Sequence, residues 1–285
     1  MGLKILRDSI MQILLKSIIG RVREEDEDSV FGLSTIYAGQ GMTKERSVLA
    51  LADGMGGGSA GEVASSMLIT SVKEQFIPLV LQSSSPTEDE VVARIRAAIS
   101  QANERINDFA SKQGLHQMGT TAVVAYVEGS NAVVGNLGDS RLYVVNKGSM
   151  TQVTKDHSYV QGLFERGLIS KDEMRTHPEK NLITKAIGLD PTVEPDIFKF
   201  RIFGDDLLLL CCDGLWEAMP ERDIHKLILG RSPKEALDSL VETANTLDGS
   251  DNISVVLGIP TMLEEKIEDF VKMETKEVTN VATAG

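Results

Sequence analysis

Apolar residues along the chain follow two spacings, and each predicts a different element. Short unbroken apolar runs predict buried strands: Ser47 to Ala52, Thr120 to Tyr126, Ala132 to Leu137, Arg141 to Val145, Leu207 to Cys212 and Ile253 to Ile259. Longer stretches repeat apolar positions every three or four residues and predict helices. Gly61 to Leu81 carries Val63, Met67, Ile69, Val72, Phe76 and Val80 on a broad face, and Val91 to Ser111 carries Val92, Ile95, Ile99, Ala102 and Ile106 on one stripe. Two more helices are expected near residues 220–229 and 233–247. The three runs between residues 120 and 145, divided by Glu128-Gly129-Ser130 and Gly138-Asp139-Ser140, read as a meander of antiparallel strands. Residues 155–190 are mostly polar and read as helical, broken at Gly167 and Pro178. The expected fold class is α/β or α+β, with mostly antiparallel sheets layered with helices.

At the N-terminus Leu3, Leu6, Ile10, Ile13 and Leu14 recur at helical spacing and predict an amphipathic extension over residues 1–16, ahead of a main domain at 17–260. Lys4, Arg7, Asp8 and Lys16 interrupt the stripe, so it reads as neither a membrane span, which needs ~20 apolar residues, nor a signal peptide. Packing on the domain suits the stripe better than a membrane surface, because its basic face is weak. Residues 261–285 carry Glu, Lys and Thr without a core pattern at their end, and read as a tail that frays. With 42% hydrophobic and 25% charged residues in 285, the chain holds ample material for one large domain. Its net charge of −13 repels phosphate backbones and argues against nucleic acid as a partner. Cys211 and Cys212 are adjacent within an apolar run. Successive strand residues point to opposite faces, so the pair reads as two packed side chains in a reducing, cytoplasmic compartment.

Candidate chemistry lies in where the aspartates fall. Asp53 follows the run ending at Ala52, Asp139 follows Leu137 and a glycine, Asp213 follows Cys212, and Asp251 precedes Ile253. One aspartate at a strand end is an ordinary turn residue. Four at four strand ends are a different matter. If those ends converge, the carboxylates repel and need positive charge to ionise together. Hard divalent cations supply it, and an all-oxygen set suits Mg²⁺ or Mn²⁺. Two such ions would orient and acidify a water for attack on phosphorus.

These runs resemble the signature motifs of the metal-dependent protein phosphatases, the PPM or type 2C family, over Ser17 to Ile259. The motifs are Arg23-Glu24-Glu25-Asp26-Glu27-Asp28-Ser29, Asp53-Gly54-Met55-Gly56-Gly57 with Gly61-Glu62-Val63-Ala64-Ser65, Gly119-Thr120-Thr121, Gly138-Asp139-Ser140-Arg141, Thr154-Lys155-Asp156-His157-Ser158, Cys212-Asp213-Gly214-Leu215-Trp216 and Asp251-Asn252-Ile253-Ser254. The resemblance implies a sandwich of two mostly antiparallel sheets flanked by helices on both sides. It also implies hydrolysis of phosphoserine and phosphothreonine at a binuclear Mg²⁺ or Mn²⁺ centre. By the same resemblance Asp53 bridges the two ions, Asp213 and Asp251 complete one shell, and Glu27 with the carbonyl of Gly54 helps hold the other. Asp28 orients a water, Arg23 grips the substrate phosphate, and Asn252 supports the last motif. Asp139 with Asp213 matches a third, weaker metal position.

Where some family members carry a histidine as general acid, this chain has Met55 and Gly58, leaving His157 as the one candidate from a distant segment. Residues 155–190 occupy the place of the family's flap, where Arg166, Arg175 and Lys180 could meet phosphorylated substrates or be solvated charges on a cap. The partners implied are phosphorylated proteins and a cognate serine/threonine kinase, with the enzyme acting as a monomer. Two other readings stand beside this one: a pseudophosphatase serving as a binding module, and a two-metal phosphoesterase acting on a small molecule. Retention of all six acids argues against the former.

Overall fold

A computed structural model of the chain describes residues 9–39, 42–56, 60–115 and 117–262. The first part runs β1 (Ser9–Ile18), β2 (Ser29–Gly39), β3 (Met42–Ala52), β4 (Gly54–Gly56), α1 (Ala60–Leu81) and α2 (Glu88–Gln113). β5 (Met118–Thr120), β6 (Ala122–Glu128), β7 (Asn131–Leu137), β8 (Arg141–Val145) and β9 (Met150–Gln152) follow. After α3 (Tyr159–Glu165) and α4 (Lys171–Met174) come β10 (Asp196–Arg201), β11 (Leu207–Cys211), α5 (Asp213–Trp216), α6 (Glu221–Ile228), α7 (Pro233–Leu247) and β12 (Ile253–Met262).

Two five-stranded antiparallel sheets form the centre, one ordered β1-β12-β11-β8-β9 and the other β10-β7-β6-β3-β2. Alternation along each strand divides the apolar residues between layers. In β3, Leu49 and Leu51 point between the sheets, while Val48, Ala50 and Ala52 pack under α1 and α2. In β11, Leu208 and Leu210 point between the sheets, while Leu209 packs under α5, α6 and α7. The result is a four-layer helix–sheet–sheet–helix sandwich. Strands covered on both faces explain why the runs look continuously apolar. Fully burying a leucine such as Leu49 or Leu210 contributes roughly 1.5–3 kcal/mol. The two cysteines are free and buried, Cys211 in the outer core and Cys212 between the sheets, as their adjacency in a strand implies.

Several expectations change. The helical reading of the N-terminal stripe fails over Ser9–Ile18, which is a strand paired with β12 from Ser9↔Met262 to Ile18↔Ile253. Met11 and Ile13 face the inter-sheet core while Leu14 and Ile18 face the helix layer, so a period of two absorbs residues that also sit at helical spacing. β1 crosses the boundary placed after residue 16. Leu3 and Leu6, Gly57 and Gly58, His116 and residues 263–285 lie outside the described residues. The three-stranded meander also fails: β6 pairs β7, but β8 pairs β11 and β9 in the other sheet. The crossing is made at Gly138, whose φ of +110° and contact with Thr121 leave no room for a side chain. The 155–190 segment holds only two short helices and then returns as extended chain, bridging Ser158 to Ile183 and Thr120 to Ile187. α2 starts before Val91 because Thr87 and Glu90 form a capping box, with Glu90 N–H donating to Thr87 Oγ1 at 3.2 Å and Thr87 N–H to Glu90 Oε2 at 2.9 Å. No helix among the described residues is long and apolar enough to cross a membrane.

Candidate metal centre

The acidic residues come together where strands from both sheets end. Asp53 sits between β3 and β4, and its backbone is clamped on both sides. Its N–H donates to Thr121 Oγ1 at 3.0 Å, while its carbonyl accepts from Thr121 N–H at 2.9 Å and from Thr120 Oγ1 at 2.9 Å. Asp213 opens α5 directly after β11. A carboxylate oxygen of Asp53, one of Asp213 and Cys212 Sγ lie within 4.8 Å of one another. Asp139 follows the Gly138 crossing, 2% exposed, and its carbonyl accepts from Trp216 Nε1 at 3.2 Å.

Glu27 and Asp28 reach the cluster from the β1–β2 connection. Glu27 Oε1 accepts from Gly61 N–H at 3.3 Å at the start of α1. A side chain at Gly54 would collide with the carbonyl oxygens of Glu27 and Gly61, so this glycine brings three backbone segments together. Asn252 is the tie between the ends of the chain. Its Oδ1 accepts from Glu27 N–H at 2.9 Å, and its Nδ2 donates to the carbonyls of Ile19 at 3.0 Å and Glu25 at 2.9 Å. Its own N–H donates to Asp251 Oδ1 at 2.8 Å. Arg23 lies half-exposed over this edge, with Nη2 2.7 Å from Asp251 Oδ2 and Nη1 3.5 Å from Glu27 Oε2. Burial works against its charge, but Asp251 and Glu27 outweigh it and hold the guanidinium firmly protonated.

The electrostatics of the cluster are unbalanced. Burial pushes Asp53 well above the usual carboxylate range, and Asp28, Asp213, Asp139 and Asp251 push it further. Burial does the same to Asp213, seconded by Asp139 and Asp251. Asp28 is pushed up to about 7 by burial, with Ser254 and Cys212 nearby opposing the shift. Neither of its oxygens has a partner at hydrogen-bonding distance among the described residues. Asp139 is likewise raised to about 7, by burial and then Asp156, and its Oδ1 is unpartnered. Glu27 is raised, chiefly by burial. Arg23 alone cannot offset six acids. Unpaired buried carboxylate oxygens on converging strand ends form a donor set matched to hard divalent cations. Cys212 does not alter that chemistry. Burial pushes its thiol well up, and Sγ already donates to the Asn252 carbonyl at 3.4 Å and accepts from Ser254 N–H at 3.1 Å.

The structure therefore brings Glu27, Asp28, Asp53, Gly54, Asp139, Asp213, Asp251, Asn252 and Arg23 to one place. His157 is directed elsewhere. Its Nδ1 accepts from Gly138 N–H at 3.0 Å and its Nε2 lies 3.3 Å from Asp196 Oδ2, so the ring holds the crossing before Asp139. Burial lowers its pKa. Of the cap residues, Arg166 Nε donates to the carbonyl of Gly162 at 2.8 Å. Arg175 Nη2 donates to the carbonyl of Glu217 at 2.7 Å, and Lys180 pairs with the Glu217 carboxylate. Sequence reasoning named Gly119-Thr120-Thr121 only as a motif and missed its clamp on Asp53. A hydroxyl pair next to a glycine gives no sign of its distant partner. It also missed Cys212 as a neighbour of the cluster, since an apolar run conceals it.

Residues 17–163 match the family model for protein phosphatase 2C. The chain is 35% identical over 240 residues to the serine/threonine phosphatase stp of Listeria welshimeri, covering 84% of this chain and 91% of that protein. Among solved structures it is similar to the Mycobacterium tuberculosis serine/threonine phosphatase PstP/Ppp, with a TM-score of 0.76, 33% identity, and coverage of 88% of this chain and 99% of that one. The catalytic domain of PstP in complex with two manganese ions matches with a TM-score of 0.74, 32% identity, and coverage of 89% and 99%. The chain belongs to the protein phosphatase 2C family, the metal-dependent serine/threonine protein phosphatases.

Proposed function

We propose that this chain removes phosphate from phosphoserine and phosphothreonine of proteins at a binuclear centre held by Glu27, Asp53, Gly54, Asp213 and Asp251. The observation that carries the reading is the set of uncompensated, converging carboxylates around a backbone-clamped Asp53. Two divalent cations, Mg²⁺ or Mn²⁺, would neutralise this cluster and acidify a bound water. Asp28, neither of whose oxygens has a partner at hydrogen-bonding distance among the described residues, would accept a hydrogen bond from that water and aim it at phosphorus. Arg23 lies at the exposed edge, where a planar guanidinium can exchange its carboxylate partners for two phosphate oxygens. The water oxygen bonds to phosphorus, the bond from phosphorus to the serine or threonine oxygen breaks, and that oxygen takes up a proton. Asp139 with Asp213 would hold a third, weaker ion. Asn252 and the Thr120-Thr121 pair act by position, fixing the segments that carry the ligands. The substrates are proteins phosphorylated by a cognate serine/threonine kinase. Two buried, unbridged cysteines suit the cytoplasm, where we place the enzyme as a monomer.

The test is phosphate release from a phosphothreonine peptide with Mn²⁺ and with excess EDTA. Turnover that requires the metal, and that is lost in Asp53→Asn and Asp213→Asn, supports the assignment. Near-normal turnover in either variant removes it.

A further inference from the structure

Beside the metal cluster, under the 155–190 cap, lies a cavity of about 740 Å³. That is within the roughly 300–1,000 Å³ usual for small-molecule sites. Its charge runs against that of the molecule. A chain with 29 basic and 42 acidic residues lines this one cavity with Arg141, Lys155, Lys171, Arg175, Lys180 and Arg222, and with Glu221 as the acid among them. Most of these cations have carboxylate neighbours: Arg141–Asp156 at 2.6 Å, Lys155–Glu165 and Lys171–Glu221 at 2.8 and 2.9 Å, and Lys180–Glu217. Arg141 and Asp156 are buried and fixed, whereas Lys155 and Lys171 are half-exposed, and such pairs exchange partners at little cost. Arg175 differs from the others. It has only the carbonyl of Glu217 as acceptor, and its Nε is buried without a partner among the described residues. With no carboxylate partner among the described residues, Arg175 is the lining cation most open to an anion in the cavity.

The rest of the lining combines three neutral polar residues, Gln152, Thr154 and Gln161, with the apolar Val160, Phe164, Met174, Trp216 and Pro220. Phe164 remains 39% exposed, and Arg141 stacks on Trp216 at 3.6 Å. Several cations around one cavity suit compact, multiple negative charge, which a phosphate group carries on a single atom centre and an acidic peptide spreads along its length. The aromatic and apolar side chains suit a flat ring beside it. We propose that this cavity is a binding site for a small phosphorylated ligand of the nucleoside phosphate class, separate from the metal centre. The wall it shares with that centre is short. Trp216 Nε1 holds the Asp139 carbonyl at 3.2 Å, and Arg141 lies two residues beyond Asp139, so an occupant that moves Trp216 is felt at Asp139.

Trp216 is the sole tryptophan, so its fluorescence reports on this wall. Full-length, Mn²⁺-loaded protein is titrated with AMP, adenosine, inorganic phosphate and an acidic unphosphorylated peptide, followed by fluorescence and in parallel by heat of binding. AMP is expected to bind saturably, with a midpoint about tenfold or more below those of adenosine, phosphate and peptide. Lys171→Ala and Arg175→Gln should each raise that midpoint by about tenfold, the loss of one charge-assisted hydrogen bond. Arg23→Ala should leave it unchanged. The proposal is overturned by the absence of saturable heat and fluorescence change with AMP, or by equal binding of phosphate, adenosine or peptide. A midpoint that moves in Arg23→Ala but not in the cavity variants also overturns it, since that places AMP at the metal centre. Because binding is read directly, these outcomes do not depend on whether the chain turns over phosphopeptides.

Discussion

At Asn252 one neutral amide joins the two segments that deliver Glu27 and Asp251, with bonds to Glu27 N–H and to the carbonyls of Ile19 and Glu25. Such supporting partners commonly change metal affinity or activity by about 10–100-fold when removed. Asn252→Ala should therefore need that much more Mn²⁺ for half-maximal phosphatase activity, while far-ultraviolet circular dichroism stays that of the parent. An unchanged metal requirement would reduce Asn252 to a structural bystander. Arg23 makes a different prediction, because it lies half-exposed against Asp251 and Glu27. Arg23→Ala should raise KM for a phosphopeptide by about 10–100-fold, the worth of a charged hydrogen bond, with a smaller change in kcat. If KM holds and only the metal requirement shifts, the guanidinium serves the carboxylates rather than the substrate. At this scale much was legible in the sequence, since acids beside glycines at the ends of apolar runs mark positions that the fold then brings together. Thr120, Thr121 and the orientation of His157 were not legible. Their partners Asp53 and Asp196 are distant in sequence, and a hydrogen bond leaves no periodic trace.

Among the elements, α1 depends at its end on a residue from β3. Arg46 is 1% exposed, and its guanidinium donates to the carbonyls of Val80 at 3.4 Å, of Gln82, and of Ser84 at 2.8 Å, with Nε 3.3 Å from Glu128 Oε1. The last carbonyls of a helix have no partner within it; here Arg46 and Thr35 Oγ1 both donate to that of Val80, and Arg46 also holds the chain just beyond the helix. Gly61, the second residue of α1, holds Glu27, so the same helix anchors the carboxylate cluster at one end and Arg46 at the other. Arg46→Ala leaves the carbonyls of Gln82 and Ser84 without this donor, while Glu128 keeps Ser85 Oγ and Tyr126 OH and Val80 keeps Thr35 Oγ1. The substitution should destabilise the protein by about 1–3 kcal/mol in urea unfolding. The KM of whatever protein remains folded should be unchanged; a loss under about 1 kcal/mol would show that water replaces the guanidinium without penalty. Element identity was legible for α1, α2, α6, α7, β8 and β11, where a single spacing dominates. It was not for β1, whose apolar residues satisfy both periods, and only pairing with β12 decides between them. Nor could local sequence assign β8 to a sheet. The Gly138 turn is visible as a turn, but the sheet it enters is set by β11, more than sixty residues later.

For the whole molecule, the four layers place acids from five separate chain segments at one edge of the sandwich, a state that folding creates and the unfolded chain lacks. Asp28 and Asp139 have an ordinary carboxylate value of 3.8 when unfolded and about 7 in the fold, so the folded state binds more protons between those limits. Their contribution to stability is present at low pH and is lost as pH rises from about 4 through about 7, the reverse of an acid held by a salt bridge. Divalent ions act in the opposite sense. Bound to the deprotonated cluster, they would stabilise by RT ln(1 + [L]/Kd), about 2.7 kcal/mol at a hundredfold excess over Kd. Thermal melts in EDTA should thus fall in midpoint between pH 5 and pH 8 by more than those of Asp139→Asn, which removes one of the two titrating acids. Added Mn²⁺ should raise the parent's midpoint more at pH 8 than at pH 5. General repulsion in a chain of charge −13 also weakens the fold as pH rises, but it acts on parent and variant alike, so the difference between them isolates the cluster. Parallel pH profiles for the two proteins in EDTA would mean that Asp139 is already ionised in the fold. The carboxylates would then be balanced by the protein itself, and the physical reason for placing cations among them would be gone.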